Sequence, residues 1–471
     1  MLQDATAEAL VERLAREQAE KRLPAITAAV ARDDRLVWFG SAGEVDGTPP
    51  SRETQFRCGS ITKTFVAVEV MRLRDEGLVD LDAPITTYLP ELDNLRCSVA
   101  QLLSHTSGLR AETSGPWWER TRGGGFNELA ASSIGPDDIV CPPGRRFHYS
   151  NVGYGVLGEM VARLRGEAWD DVIDRELLGP LGMLRTSTRP VAPFAPGLAV
   201  HPHADLVLAE PEHDAGAMAP AGQLWTTAED LCRWAAVLSG SRPHLLSRDT
   251  AAEMRLPLAV NDVTDRPWTT AHGLGLQLFN DDGKRSFGHG GSMPGFLAML
   301  RIESETKDTV VVLTNATSGM SQTIDQELLE IVRHREPSAP PTWRPMAGGL
   351  DESLLEITGT WYWGTRAFVI TARRDGVLDL TALTLGREAS FCPAADGSFV
   401  GLSGYYEGET LKVVRRHDGT LSHLDIGSFI LTRTPYDPAA GVPGGVDAAG
   451  WRGSAPEAEH RHHQLGPRRR E

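Results

Sequence analysis

The sequence predicts a mixed α/β chain in which a large unit of helices and sheet is followed by a small antiparallel β domain. Three observations carry that expectation. Over SITKTFVAVEVMRLRDEG (60–77), Phe65, Val66, Val70 and Leu73 recur at helical spacing, and Gly77 ends the pattern. Two apolar, β-rich runs, 296–302 and 309–314, are split by the polar turn ESETKD. Beyond a Pro- and Gly-rich stretch, short alternating runs surround Asp375-Gly376, Asp396-Gly397 and Asp418-Gly419, dipeptides that favour tight hairpins.

The elements follow in order. From Leu2 to Arg22 charge alternates with Ala and Leu at helical spacing, which predicts an amphipathic helix without the basic and apolar regions of a leader. The protein is therefore expected to be cytoplasmic. No run of about 18 apolar residues occurs, so no membrane span is expected. Two apolar runs around Asp33-Asp34 predict a hairpin over 24–44, and a helix from Ser98 runs into HTSGL. Thr226-Thr227-Ala228-Glu229-Asp230 is a capping-box start for a helix through Leu238, and another helix reaches about residue 334. These elements assign 1–335 to the large unit, 336–349 to a linker and 350–437 to the β domain. Residues 438–471 have no apolar period and are expected to be disordered.

Composition removes several functions. At 41% hydrophobic and 23% charged, 471 residues have material for a sizeable core, which excludes a disordered or fibrous chain. A net charge of −16 argues against nucleic acid or an anionic membrane as partner. Cys58, Cys97, Cys141, Cys232 and Cys392 are scattered and form no CxxC, which excludes a disulfide framework and a zinc ribbon. His201-Pro202-His203 lacks ligand-spaced carboxylates and His460, His462 and His463 lie in the polar tail, so neither metal nor cofactor is expected. Gly153–Gly158 matches GxGxxG, but a Tyr-Ser-Asn loop precedes it instead of a strand, which favours helix packing over nucleotide binding.

Three places can do chemistry. In Ser60-Ile61-Thr62-Lys63 a helical rise of about 4.5 Å sets the hydroxyl and the amine on one face, within reach of each other as nucleophile and base. The plainer alternative is an N-cap serine with a surface lysine. Against it, only five of the 47 basic residues are Lys, and Lys can deprotonate where Arg cannot. Its pKa must fall from about 10.4 to near neutrality, which burial and a neighbouring cation can supply. In Tyr149-Ser150-Asn151 a phenol with its pKa lowered by adjacent cations can shuttle a proton, and the Asn151 amide can orient a substrate. In His289-Gly290-Gly291 two glycines let a substrate approach the backbone ahead of an apolar strand.

In this order, with SxxK at Ser60, YxN at Tyr149 and HxG at His289, the sequence resembles the serine β-lactamase and penicillin-binding-protein superfamily, nearest its class C-like branch. LLSHTSGL (102–109), PPGRRFHYSN (142–151), LLGPLGM (177–183), APAGQLWTTAEDLCRW (219–234) and GLGLQL (273–278) support the resemblance over about residues 5–335. It implies a serine β-lactamase/transpeptidase-like α/β (α+β) fold with an antiparallel sheet and a helical subdomain. Carried over, Ser60 is the acylated nucleophile, Lys63 its activator, Tyr149 the proton shuttle and Asn151 a substrate-amide contact. His289 stands where relatives have the Lys of KTG, a binder of substrate carboxylate, and Ser60 with Ser292 supplies the oxyanion-hole amides. The β domain from Gly359-Thr360-Trp361-Tyr362 looks like the lipocalin-like barrel of some class C-like hydrolases. It is either a stabilising appendage or a wall over the site mouth from which Arg433 meets a substrate carboxylate.

With no leader, a class C-like domain and a barrel, the chain is similar to stand-alone penicillin-binding-protein-type thioesterases that release and macrocyclise nonribosomal peptides. That implies a peptidyl thioester as acyl donor and a synthetase carrier protein as candidate partner. A cytoplasmic esterase or D-stereospecific aminopeptidase, acting on an ester or amide, has the same motifs and stays open, as does a non-catalytic sensor.

Overall fold

Alternation of apolar side chains between two faces builds one antiparallel sheet. The computed structural model describes residues 2–437 apart from 264, 266, 338–341, 345–347, 350, 385 and 436. The expected disordered tail and half of the expected linker thus lie outside the described residues. The chain divides into two compact units, Met1–Ala339 and Pro340–Glu471.

In the first unit the sheet strands are β1 (Ala25–Arg32), β2 (Arg35–Gly43), β3 (Ala259–Val260), β4 (Thr270–His272), β5 (Gln277–Asp281), β6 (Lys284–Met293), β7 (Phe296–Glu303) and β8 (Thr309–Thr314). They stand in the order β2-β1-β8-β7-β6-β5-β4-β3. The helices that bear on the site and the sheet are α1 (Asp4–Glu20), α2 (Thr62–Asp75), α3 (Asn151–Arg165), α4 (Ala228–Leu238) and α5 (Ile324–Arg335). Because side chains alternate along a strand, Ile26, Val30, Val310 and Val312 meet Leu10 and Leu14 of α1 and Leu328 and Val332 of α5. Their neighbours Ala29, Ala31, Val311 and Leu313 face the larger core built on α2 and α4.

Helix α2 is buried from Thr62 through Met71, so it has no solvent stripe. Phe65 stacks on Trp234 of α4 at 3.9 Å, and the Trp234 indole N–H donates to Thr64 Oγ1 at 2.8 Å. Local capping fixes where helices begin. Thr227 Oγ1 accepts the Asp230 amide at 3.1 Å, and Ser150 Oγ accepts the Gly153 amide at 3.0 Å. The second cap makes Ser150 the last extended residue before α3, with Tyr149 just ahead of it.

In the second unit eight strands, from Gly359–Trp363 to Phe429–Thr432, form a closed antiparallel barrel. Each of the three Asp-Gly turns places its glycine at positive φ, between +80° and +84°. Trp361, Phe368, Phe391, Leu411 and Leu424 fill the interior. Arg433 lies one residue past the last strand, its guanidinium 4.0 Å over the Trp361 ring. It donates to the carbonyls of Thr360, at 3.1 Å, and Glu356. Both terminal nitrogens of the fork thus donate to backbone within its own unit. Among the described residues no helix is long and apolar enough to cross a membrane.

Candidate active site

Ser60 stands in the one-turn 3-10 segment Gly59–Ile61, just ahead of α2 and not within it. Gly59 has φ +53°, and a Cβ there would lie 2.6 Å from the Ser292 amide nitrogen of β6. Only glycine lets the nucleophile turn and that strand touch.

Lys63, in the first turn of α2, puts Nζ 2.9 Å from Ser60 Oγ and 2.6 Å from the Ala221 carbonyl oxygen. The side chain has no exposed surface. Burial lowers its pKa to about 7, against the opposing field of Glu112 and Glu119. The Ala221 carbonyl reaches Lys63 because glycines of α3 admit the segment Gly216–Ala221: a Cβ on Gly158 would lie 2.2 Å from Pro220 Cγ. The GxGxxG stretch is therefore a packing surface. Arg57, itself buried, holds the next two residues by donating to the Gly222 carbonyl at 3.3 Å and Gln223 Oε1 at 2.7 Å.

The Tyr149 hydroxyl hydrogen-bonds Ser60, and Lys63 Nζ lies 5.1 Å from the centre of its ring. Its pKa is raised by burial, not lowered by cations as expected from the sequence. Lys63, the cation over its ring, is itself desolvated and half neutral near pH 7. With the amine neutral, the hydrogen bonds run from Tyr149 O–H to Ser60 Oγ and from Ser60 O–H to Lys63 Nζ, leaving an amine N–H for Ala221.

His105, from HTSGL, stacks on the Tyr149 ring at 4.1 Å. Its Nδ1 accepts the Ser150 amide at 3.1 Å, and burial holds its pKa well below the ordinary value. Neutral and ring-locked, it positions Tyr149. Asn151 opens α3, and its Nδ2 donates to Glu112 Oε1 at 2.7 Å, while the Trp118 indole N–H donates to Glu112 Oε2 at 2.6 Å. His105, Glu112 and the Ala221 carbonyl escaped the sequence reading. HTSGL marked the first of these, but a carbonyl and an acid in a polar loop give no signal before folding.

His289 and Ser292 lie on β6. His289 is buried, and its Nδ1 donates to the Gly290 carbonyl at 2.5 Å. Burial, then the nearby Lys63, lowers its pKa to about 3. The imidazole is neutral, so it brings no positive charge to a substrate carboxylate, as the Lys of KTG would. Met293 and Phe296 pair across the two-residue turn Pro294-Gly295, and Ser292 pairs with Leu297. The alternation of an antiparallel ladder then points the Ser292 amide off the β7 edge, toward Gly59. Two residues earlier on that edge, the Gly290 amide donates to Gln277 Oε1 at 2.8 Å. Ser60, Tyr149, His289 and Ser292 all line one cleft of about 670 Å³. Asn151 is placed beside the acid Glu112 instead. Among the described residues no group of three or more His, Cys, Asp or Glu is placed to hold a metal.

A serine hydroxyl, a buried amine able to take its proton and a phenol on the same oxygen define a serine acyl-transferase or hydrolase. The chain belongs to the Beta-lactamase family, whose model matches residues 8–333. Residues 350–433 match a second family, described as Domain of unknown function (DUF7586). Penicillin-binding protein 4 of Amycolatopsis lactamdurans is 30% identical over 325 residues, 63% of this chain and 82% of the relative. Esterase EstB of Burkholderia gladioli is 31% identical over 189 residues, 35% of this chain and 47% of EstB. SurE, solved with D-Leu, is similar over 92% of this chain and all of its own, with TM-score 0.56 and 25% identity.

Proposed function

We propose that the protein is a cytoplasmic serine acyltransferase that takes a peptidyl thioester ending in a D-residue, from a synthetase carrier protein, and releases it as a macrocycle. The observation that carries the acyl transfer is the buried Lys63 amine 2.9 Å from Ser60 Oγ. Similarity to SurE, solved with D-Leu, across both units supports the D-residue. Five free cysteines suit a reducing compartment.

In the first half-reaction Lys63 takes the Ser60 proton as the Oγ–C bond forms, and the carbonyl electron pair moves onto oxygen beside the Ser60 and Ser292 amides. Collapse breaks the bond to the thiol, which leaves with a proton relayed through Tyr149 and resupplied from Lys63. In the second half-reaction an amine of the same peptide attacks the acyl carbon and loses its proton along the reverse route. Ser60 Oγ departs and regains its hydrogen.

Hydrolysis of simple esters is the second reading, favoured by the similarity to EstB. Incubation with a fluorophosphonate should add its mass to Ser60; an unlabelled serine overturns both readings. A peptidyl thioester with a C-terminal D-residue should then give cyclic product. Rapid turnover of a p-nitrophenyl ester with only linear acid from the thioester overturns the cyclase and leaves the esterase.

A further inference from the structure

β5 pairs with β6 only from Lys284 to Gly288, although β6 runs on to Met293, so the last stretch of β6 has an edge that β5 leaves open. In an antiparallel ladder alternate residues turn both backbone groups to one edge, and Gly288, Gly290 and Ser292 turn theirs to this one. Gly288 is paired with Gln277, the first residue of β5. Both backbone groups of Gly290 are taken by side chains: its amide donates to Gln277 Oε1 at 2.8 Å, and its carbonyl accepts His289 Nδ1–H at 2.5 Å. A chain that lies along the edge with its reacting carbonyl at Ser292 therefore meets a side chain, not the strand, two residues or about 6.5–7 Å further on.

That side chain is Gln277. A Cβ on Gly290 would lie 3.3 Å from Met299 Sδ and 3.6 Å from Gln277 Oε1, so a bare glycine lets the Gln277 amide settle against the edge without crowding. Because the Gly290 amide gives a proton, the Gln277 amide must turn its oxygen to it, and Nε2 with its two hydrogens faces away from the strand. Gln277 lines the cleft together with Ser60 and Tyr149. Among the described residues no acceptor of the protein takes the Nε2 hydrogens. His289, neutral and with its N–H already on the Gly290 carbonyl, has no proton to offer there.

We propose that Gln277 is a specificity-determining residue: its Nε2 donates to a carbonyl oxygen of the bound acyl donor, about two residues along the chain from the carbonyl that Ser60 attacks. The inference rests on the acyl-transfer reading of Ser60 and adds what holds the substrate beyond its reacting carbonyl. An amide carbonyl of the acyl chain and one of the departing arm have the same chemistry, and two pairs of thioesters tell them apart.

For the acyl chain, N-acetylglycyl-D-leucine is compared with N-pentanoyl-D-leucine, both as ethanethiol esters. For the departing arm, N-acetylcysteamine is compared with pentanethiol, both as thioesters of N-acetyl-D-leucine. Within each pair the chains have equal length and differ by one amide. Thiol release by the full chain and the mass of acyl-Ser60 are followed together, and the ratio of kcat/KM, amide over alkyl, is read in each variant, so that differences in intrinsic reactivity cancel. Gln277→Leu should lower this ratio at least about fivefold in one pair, which names the arm. Gln277→Glu keeps an oxygen for the Gly290 amide but lacks the N–H groups, so the same ratio should fall there too. With Ser60 acylated, a ratio that Gln277→Leu moves in neither pair, or equally in both, overturns the assignment and leaves the acyl-transfer reading standing. A ratio lost in Gln277→Leu but kept in Gln277→Glu also overturns it, because Gln277 would then only cap Gly290. Failure of every donor to acylate Ser60 overturns the reading beneath it and the assignment with it.

Discussion

The Lys63 base can be titrated directly. With a pKa of about 7, half of the molecules carry a neutral amine at pH 7. A lysine at its ordinary pKa of about 10.4 would leave roughly 4 in 10,000 neutral there, so burial supplies about a thousandfold more base, close to 4 kcal/mol. The pre-steady-state burst of p-nitrophenol from an activated ester, read from pH 5 to 10, should rise about tenfold per pH unit below 7 and level off above about 8. Lys63→Arg keeps the charge and cannot deprotonate, so the burst rate should fall by at least about a thousandfold at pH 7.5 without recovery up to pH 10. A midpoint above 9, a flat profile, or Lys63→Arg keeping more than a tenth of the rate would refute the assignment.

Four further outcomes are expected. Because the folded pKa of Lys63 lies below the unfolded value, the unfolded chain binds the extra proton between about pH 7 and 10.5, and the destabilisation from this group fades as pH rises through that window. Lys63→Met removes the penalty but strands the Ala221 carbonyl, so urea unfolding should show a gain of about 2 kcal/mol at pH 7 that turns into a loss of about 1 kcal/mol at pH 10; a loss at pH 7 sinks this account. Tyr149→Phe keeps the stack on His105 and should slow acylation about 10²–10⁴-fold with the midpoint still near 7; a displaced midpoint would make the phenol the titrating base. Gly59→Ala drives a Cβ to 2.6 Å from the Ser292 amide nitrogen and should cost at least about 10² in kcat; an unchanged kcat would show that the two backbones need not touch. Arg301→Ala leaves fully buried Asp325 without its cation, a loss of about 3–5 kcal/mol by denaturant unfolding, and a loss under about 1 kcal/mol contradicts it.

Much of the frame was legible because it rests on local rules. The hairpin at 24–44, the strands near 296–302 and 309–314, the cap at Thr227 and the Asp-Gly turns are written in alternation and turn chemistry, and each occurs where the sequence places it. Helix α2 was legible only in outline: its start was expected at Ser60, yet Ser60 occupies a 3-10 turn, because close contact with β6 demands positive φ at Gly59. The least legible groups are those whose role comes from long-range packing. The Ala221 carbonyl meets Lys63 from 158 positions away, and Asn151 faces Glu112 across a loop. Sequence spacing can nominate a lysine as a base, but it cannot show which acceptor holds its nitrogen.

The same limit explains the inverted expectation for Tyr149. Reading cations beside the phenol predicts a tyrosinate, and then the phenolate would be the base and the ammonium of Lys63 its counter-ion. Desolvation works otherwise, because it penalises whichever form carries charge. One dry pocket therefore drives the amine down to about 7 and the phenol up, away from each other. At neutral pH that leaves Lys63 able to accept a proton and Tyr149 able to give one, the division of labour acyl transfer needs at Ser60. The chemistry of the site thus follows from how little water reaches it. Any change that wets the pocket without touching Ser60, Lys63 or Tyr149 should return the two pKa values toward their ordinary order and slow acylation in step.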